Sequence, residues 1–179
     1  HHAVMAGDAE TGVSVITLSN IMDGGEVLAQ ATAPIAATTT TGDLHDTLAE
    51  LGPDLVSGVL EAHCNGTLQG VAQRAEAVTL APKLSRSDAR IAMDDTADVV
   101  RCRINGLSPW PGCTVEVAGV ALRLLRADCA TDAVAPGHVR ADGVLGCGIG
   151  SIQLVDVQPA GGRPMSFAQW ANGRRLKGV

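Results

Sequence analysis

The stretch Leu107-Ser108-Pro109-Trp110-Pro111-Gly112 divides the sequence into two parts of different character. Each proline fixes φ near about −65° and lacks a backbone N–H, and the residue before it is biased away from the α region. Gly112 allows a turn that a side chain would obstruct. The pattern predicts a rigid pivot between two lobes, in which Trp110, one of three aromatic residues in the chain, fills a core.

Length and composition predict one ordinary domain or two small ones. The chain has 179 residues, of which 46% are hydrophobic. No apolar run approaches the roughly 18 residues that a membrane helix needs, and no charged-then-apolar leader opens the chain. The five cysteines are widely spaced and form no Cys-x-x-Cys pair. This spacing argues against a disulfide framework or a zinc site and favours a cytoplasmic location.

Charge is distributed unevenly along the chain. Residues 1–73 contain nine acidic side chains and no Lys or Arg, whereas residues 74–179 contain all thirteen basic and ten acidic side chains. The second part therefore has a net charge of +3 within a chain of net charge −6. The contrast predicts two modules with different partners, or an acidic lobe that only keeps the protein in solution.

The first part of the chain predicts two strands followed by a helix. Residues 12–18 and 26–32 are rich in β-branched and apolar side chains. An amphipathic stripe follows, with Gly52-Pro53 inside it, and this pair predicts a broken or kinked helix pair. The pattern indicates part of an α/β layer. The stripe consists of Leu44, Leu48, Leu51, Leu55 and Val59.

The second part of the chain predicts a short helix and then mostly strands. Residues 81–95 have no periodicity, and Asp94 or Asp95 is a candidate cap for a helix whose apolar face is Ala97, Val100 and Ile104. Residues 114–117 and 120–125 predict a hairpin around Gly119, and residues 151–157 predict a further strand. Ser166 and Gln169 form a capping box for a last helix ending at Gly173. Short strands with regular turns indicate a small barrel.

Eight motifs, in order and over nearly the whole chain, resemble the rear two-thirds of methionyl-tRNA formyltransferases. The matching pieces are Ala6-Gly7-Asp8-Ala9-Glu10-Thr11-Gly12-Val13, Met22-Asp23-Gly24-Gly25-Glu26-Val27-Leu28, Leu44-His45-Asp46-Thr47-Leu48-Ala49-Glu50-Leu51-Gly52, Ala81-Pro82-Lys83-Leu84-Ser85, Asp88-Ala89-Arg90-Ile91, Pro109-Trp110-Pro111-Gly112, Leu154-Val155-Asp156-Val157-Gln158-Pro159-Ala160-Gly161-Gly162 and Asn172-Gly173-Arg174-Arg175-Leu176.

The resemblance implies an α/β plus β architecture. An incomplete Rossmann-like formyltransferase segment, the end of a catalytic domain, would occupy residues 1–80. A linker would follow over residues 81–92, and a small OB-fold-like β-barrel with flanking helices would occupy residues 93–179.

The resemblance also implies an activity, the transfer of a formyl group from 10-formyltetrahydrofolate to the α-amine of methionine on initiator tRNA, with no metal. Such a reaction needs a donor for the oxyanion and a tuned acid/base group. Asp23 stands where the family has its catalytic aspartate, which holds and polarises a histidine and helps to move protons. The residues around it, expected to line the pterin side of the folate pocket, are Ile21, Met22, Gly24 and Gly25.

The sequence departs from the family pattern at three places. The family's Asn-x-His motif does not occur in the chain, and His45 and His63 lie on the helical stretch, where solvated histidines are expected. Gly24-Gly25-Glu26 stands where the family has Thr-Gly-Asp, and Ala92-Met93 replaces an Asp-Trp pair. We therefore expect a truncated or fragmentary formyltransferase that does not transfer formyl groups as given.

The family resemblance further implies that the barrel and linker contact tRNA through cations against phosphates. Aromatic platforms for stacked bases are nearly missing, and a net charge of +3 is mild for a nucleic-acid-binding region. Arg174 and Arg175 are the favoured pair. The full set of candidates is Lys83, Arg86 and Arg90 on the linker, and Arg123, Arg126, Arg163, Arg174, Arg175 and Lys177 on the barrel.

Two alternatives to a tRNA formyltransferase stay open. A family member could act on a small molecule, as a sugar formyltransferase or a folate hydrolase-like domain. The chain could also be a non-catalytic binding or assembly module, which the missing Asn-x-His motif favours. Under every one of these readings we expect no membrane contact, and an incomplete α/β layer predicts dimerisation through exposed apolar surface.

Overall fold

The computed structural model of the chain describes residues 1–174. Two short 3-10 turns, Ala75–Ala77 and Arg86–Asp88, lie between the second and third helices. The helices and strands, in chain order, are α1 (His2–Ala6), β1 (Glu10–Ile16), β2 (Val27–Pro34), α2 (Thr41–Cys64), α3 (Ala97–Gly106), β3 (Cys113–Val117), β4 (Val120–Ala130), β5 (Val144–Gly146), β6 (Ser151–Pro159), β7 (Met165–Ser166) and α4 (Phe167–Arg174).

Contacts between residues divide the chain into two compact units that do not follow chain order. Unit 1 contains His1–Asp8, Ile35–Asp43 and Lys83–Val179, and unit 2 contains Ala9–Pro34 and Leu44–Pro82. Unit 2 carries eight acidic side chains and a single basic one, so its sequence has a net charge of −7. The domain bounds expected from the sequence, 1–80, 81–92 and 93–179, remain a prediction.

Unit 2 is built on an antiparallel pair of strands. β1 and β2 pair with Glu10 opposite Pro34 and Val15 opposite Ala29. These strands confirm the two expected from the β-branched and apolar runs, with ends shifted by about two residues.

The long helix α2 is a single element with Pro53 inside it. Of the broken or kinked helix pair expected at Gly52-Pro53, the break is therefore wrong, and the kink stays a prediction. A proline in a helix removes one backbone hydrogen bond and crowds the preceding turn. Pro53 lies on an exposed part of α2, so water can reach the carbonyl that loses its donor, and the turns on either side remain helical.

The sheet of unit 1 is antiparallel, with strand order β3-β4-β6-β5 and β7 paired to β6. β3 and β4 form the expected hairpin, with Val117 opposite Val120. Ala118 and Gly119 connect them, and both have positive φ (48° and 72°), which suits the twist of a two-residue hairpin turn. The β4–β6 ladder shifts register on both sides of Arg126.

The core of unit 1 lies between this sheet and the helices α3 and α4. Val100 and Ile104 on α3 are fully buried, as their spacing predicted. The rings of Phe167 and Trp170 on α4 pack against each other with centroids 5.3 Å apart. Trp110 is 46% exposed, so its expected core position is wrong.

The stretch 107–112 connects α3 to β3 inside unit 1, and the expectation that it joins two lobes as a pivot is wrong. Its backbone closes on itself, since the Gly112 N–H donates to the Leu107 carbonyl over 2.8 Å. Leu107, fully buried, is the residue of this stretch that fills the core, and this leaves Trp110 outside.

The helix starts were partly predicted. Ser166 and Gln169 form the expected capping box, with reciprocal bonds of 3.2 and 3.3 Å. Gly173 lies within α4, one residue before the described end of that helix.

At α3 the cap is Thr96, whose hydroxyl accepts from the Val99 N–H, so the expected Asp94 or Asp95 cap is wrong. Threonine caps nearly as well as aspartate, and the pattern did not separate the three neighbours.

The segment Ile35–Asp43 belongs to unit 1 and is held there by polar side chains. Asp43 accepts from the Thr40 N–H over 2.9 Å. The Arg126 guanidinium donates to both Asp43 oxygens, at 2.7 and 3.1 Å, and to the Thr38 carbonyl at 2.7 Å. These bonds to Arg126 and Thr40 lower the pKa of Asp43 to about 2.

We predict an acid-dependent contribution of Asp43 to stability. Because its pKa is lowered on folding, the stabilisation is present above the unfolded value of about 4 and is lost as the pH falls towards about 2. Solvent screening of this partly exposed pair limits the effect to about 1 kcal/mol. Urea unfolding at several pH values should show the difference between wild type and Asp43→Asn shrinking over this range.

The matched control for Asp43 is Asp94→Asn, which changes an exposed carboxylate of the same unit. This variant should track the wild type at every pH. A stability gap at Asp43 that stays constant from about pH 5 to about pH 2 would contradict the ion-pair origin of the effect.

Candidate functional site

The loop between β1 and β2 is closed at its base by backbone and side-chain bonds. The Thr17 N–H donates to the Glu26 carbonyl over 2.9 Å, and the Glu26 N–H donates to the Thr17 hydroxyl over 2.9 Å. Within the loop, the Ser19 hydroxyl donates to the Ile21 carbonyl over 2.7 Å. The Gly24 N–H donates to the same carbonyl over 3.1 Å.

Asp23 lies at the tip of this loop with its side chain exposed. Its φ of 55° is in the left-handed region, where aspartate is more frequent than most residues other than glycine. Within residues 1–174 the Asp23 carboxylate accepts no hydrogen bond. The bonds that hold the loop are made by backbone groups and by other side chains. The carboxylate is therefore available to a ligand.

The four residues expected beside Asp23 lie in the same turn. Ile21 and Met22 are 73% and 91% exposed, so apolar surface flanks the carboxylate. Gly25 is buried, and a Cβ built there would overlap the Thr17 carbonyl. Gly25 thus has a packing reason to be glycine, and its expected role in folate binding remains a prediction.

Sequence reasoning missed Gln73, which binds the loop from a distant part of the chain. Its amide nitrogen donates to the Asp23 carbonyl over 2.6 Å and to the Gly25 carbonyl over 2.8 Å. Nothing in the pattern around residue 73 signals this contact, because it joins positions about fifty residues apart.

An open depression of about 430 Å³ also lies in unit 2. Asp23 is not among the residues that line it. Among the described residues that line it, the one basic group is Arg74. Its lining consists of Val27, Leu28, Ala29, Gln30, Gln69, Val71, Ala72 and Arg74.

Three of the expected phosphate-binding cations, Lys83, Arg86 and Arg90, are exposed on one segment of unit 1. Arg103 holds the backbone of this segment. Its guanidinium donates to the Asp88 carbonyl over 2.6 Å and to the Arg90 carbonyl over 2.9 Å. Among residues 1–174 these three side chains have no acidic partner. They are therefore free to meet an anion.

Other expected cations are engaged within unit 1. Arg123 donates to the Pro109 and Pro111 carbonyls, the latter over 3.2 Å. Arg126 also bonds to Asp156, over 3.2 Å, in addition to its bonds to Asp43.

The remaining expected cations are at the end of the chain. Arg163 is exposed, and the Arg174 guanidinium lies 5.7 Å from the centre of the Trp170 ring. Arg175 and Lys177 lie outside the described residues.

Other candidate chemistry is limited in the described part of the chain. His45 and His63 lie on α2 with exposed side chains, as expected. Residues 1–174 contain no cluster of three or more His, Cys, Asp or Glu side chains arranged for a metal ion. All five cysteines, each within this range, are unpaired. No helix in this range is long and apolar enough to cross a membrane.

Two family models match the chain. The model described as formyl transferase, C-terminal domain, matches residues 83–175, just over half of the chain. The model described as formyl transferase matches residues 1–60. These matches confirm the resemblance seen in the motifs.

A curated relative supports the same family. The methionyl-tRNA formyltransferase of Paracoccus denitrificans is 40% identical over 176 residues, which are 98% of this chain and 58% of the relative. The chain thus spans less than two-thirds of the length of that relative.

Solved structures share the fold. HypX from Aquifex aeolicus in complex with tetrahydrofolic acid has a TM-score of 0.70 at 22% identity, over 99% of this chain and 32% of HypX. The N-formyltransferase from Helicobacter canadensis, in complex with folinic acid and dTDP-3-aminofucose, has a TM-score of 0.68 at 13% identity. That match covers 84% of this chain and 56% of the Helicobacter protein.

Proposed function

The chain belongs to the formyl transferase family, and from this premise we propose that it forms part of an enzyme that formylates methionyl-initiator tRNA. The formyl donor is 10-formyltetrahydrofolate, bound as a substrate. The curated relative named above supports this choice of acceptor. We place the enzyme that contains this chain in the cytoplasm, a reducing compartment that suits the chain's unpaired cysteines.

The observation that carries this proposal is the turn that presents the Asp23 carboxylate beside Ile21 and Met22. In the reaction, the amine nitrogen attacks the formyl carbon and the bond from that carbon to the folate nitrogen breaks. One proton leaves the attacking amine, and one reaches the departing nitrogen. A carboxylate with no internal hydrogen bond can hold or relay such a proton. The apolar side chains give the flat pterin a surface to pack against.

For unit 1 we propose a role in holding the tRNA. Its antiparallel sheet with flanking helices would be an OB-fold-like barrel, as the resemblance implied. Phosphate contact is the expected mode, because Lys83, Arg86 and Arg90 are exposed, have no acidic partner among residues 1–174, and lie on a segment whose backbone accepts hydrogen bonds from Arg103. Arg123 and Arg126 serve the structure of unit 1 instead, since their guanidinium groups bind its own carbonyls and carboxylates.

We predict that replacing Lys83, Arg86 and Arg90 together by alanine weakens binding of initiator tRNA. The logarithm of the binding constant falls linearly with the logarithm of the salt concentration. Loss of three phosphate contacts should make the slope of this line shallower by about two to three. A gel shift at several salt concentrations measures both quantities.

Arg174→Ala combined with Arg175→Ala is the second test, and should also weaken binding while the protein stays folded.

The control for these variants is Arg140→Ala. Arg140 is paired with Asp132 over 2.6 Å and also with Asp142, so its loss should leave the tRNA affinity close to wild type. An unchanged salt slope in the triple variant would remove the segment from the proposed interface.

The activity is tested with a hybrid enzyme. This chain replaces the part of the Paracoccus denitrificans relative that it matches. The rest of the relative is kept in its own place along the sequence. The hybrid should formylate methionyl-tRNA with 10-formyltetrahydrofolate, whereas the 179-residue chain alone should not, since it lacks an Asn-x-His motif.

Two results would overturn the proposal. The hybrid could formylate an amino sugar nucleotide and leave methionyl-tRNA unmodified, which would favour a small-molecule formyltransferase. Alternatively, the hybrid could fold and bind tRNA without any transfer, which would favour a binding module.

A further inference from the structure

We infer that Gln73 is a positioning residue for Asp23, holding the carboxylate-bearing turn in its working conformation. The inference rests on the proposed function, because it assumes that Asp23 takes part in formyl transfer. Both hydrogen bonds that Gln73 donates to the turn go to backbone carbonyls, so it acts through Asp23.

The geometry of the amide suits this role. One nitrogen atom carries two N–H groups, and Gln73 Nε2 uses them on the carbonyls of Asp23 and Gly25, at 2.6 and 2.8 Å. The two acceptors flank Gly24, so a single side chain fixes the backbone on both sides of that residue. Neither bond involves the Asp23 carboxylate, which stays open.

In residues 1–174, the other hydrogen bonds that hold the turn come from within the loop. These bonds link Ser19 and Gly24 to the Ile21 carbonyl and Thr17 to Glu26. Among residues 1–174, Gln73 is the one side chain from outside residues 17–26 that bonds to the turn. Its removal therefore leaves the turn held, among residues 1–174, by the bonds within the loop.

Asp23 needs such a tie because its backbone is in the left-handed region, with φ of 55°. Aspartate occupies this region more readily than most residues with a Cβ, but the conformation still costs free energy that neighbouring structure has to offset. A relaxation of φ to negative values would swing the Cα–Cβ bond and move the carboxylate away from its present direction.

The position of Gln73 is itself fixed by the chain around it. Val71 pairs with Val27 through two backbone bonds of 2.8 and 2.9 Å, at the point where β2 begins. Gly70 lies against the Glu26 side chain, where a Cβ would be only 2.5 Å from a carboxylate oxygen. The segment that carries Gln73 is thus docked at the base of the loop.

The first test uses Gln73→Met, which keeps the length of the side chain and removes both donors. Gln69→Met is the matched control, since Gln69 is an exposed glutamine of the same segment with no side-chain bond to the loop in the described structure. NMR of the 179-residue chain measures the HN–Hα coupling of Asp23, which reports φ. The coupling and the amide shifts of residues 22–25 should change in Gln73→Met and stay as in wild type in Gln69→Met.

The second test measures steady-state kinetics in the hybrid enzyme. Gln73→Met should lower kcat by about tenfold to a hundredfold, the usual effect of a slightly misplaced catalytic group, with KM for tRNA unchanged. An Asp23 coupling identical to wild type would overturn the inference and leave the proposed function intact. A changed coupling with an unchanged kcat would also overturn it, and would count against Asp23 as a catalytic residue.

Discussion

Replacing Asn105 by alanine is expected to lower the free energy of unfolding of unit 1 by about 3–5 kcal/mol. Asn105 lies on α3, is fully buried and uses its whole amide group in hydrogen bonds. The amide nitrogen donates to the carbonyls of Ala127 at 2.9 Å and Ala37 at 3.0 Å, and the amide oxygen accepts from the Ala127 N–H at 2.9 Å.

The size of this effect follows from the edge of strand β4. β3 pairs with β4 only as far as Leu124, so in the described part of the chain the backbone of Ala127 has no strand on that side. The side-chain amide of Asn105 bonds to both the N–H and the carbonyl of Ala127, as a neighbouring strand would. Its removal leaves a buried donor and a buried acceptor unpaired, and each such group costs about 1–3 kcal/mol.

Both tryptophans of the chain, Trp110 and Trp170, belong to unit 1, so their fluorescence follows the unfolding of that unit in urea. Asn172→Ala on α4 is the control, because residue 172 is exposed, and it should shift the midpoint very little. A loss of less than about 1 kcal/mol in Asn105→Ala would contradict the role of the amide as a substitute for a strand.

The parts of this fold that sequence predicts are those set by short-range pattern. The β3–β4 hairpin follows from alternating Leu122 and Leu124 with Gly119 in the turn, and both leucines are fully buried. The buried face of α3 follows in the same way from the spacing of Val100 and Ile104. Each signal is contained within about ten residues, where backbone periodicity alone decides which side chains share a face.

The parts that sequence does not predict depend on partners far along the chain. Arg126 has the charge expected of a phosphate ligand, yet Asp43, more than eighty residues earlier, takes its guanidinium. Asn105 looks like a polar interruption of an apolar helix face until the open edge of β4 gives it a partner. The rigid proline-flanked stretch predicts Trp110 in the core, but Leu107 fills that place.

The candidate site shows the same division. Asp23 and its neighbours were found because they form one continuous motif, and a turn necessarily keeps such residues together. Gln73 was not found, because in the described part of the chain two tertiary hydrogen bonds link it to the motif. Supporting residues of this kind become visible only when the backbone path is known.

Replacing Asp23 by asparagine should lower kcat of the hybrid enzyme by about 10²- to 10⁴-fold, the usual contribution of a general acid or base. Asparagine has the same shape and tolerates the left-handed backbone as well as aspartate does, so the turn should keep its φ of 55°. The asparagine amide can accept a hydrogen bond but cannot take up a proton as a carboxylate does. The substitution therefore removes proton transfer and charge while it preserves the loop.

The measurement is the initial rate of methionyl-tRNA formylation at saturating folate donor, together with KM for the tRNA. Asp54→Asn, an exposed carboxylate on α2 of the same unit, is the matched control and should retain the wild-type rate. Because the carboxylate acts on the reacting atoms and not on the bulk of the tRNA, KM should change little in Asp23→Asn. If this variant turned over at the wild-type rate with an unchanged backbone, Asp23 would be a turn residue, and the proton in formyl transfer would have to move through another group.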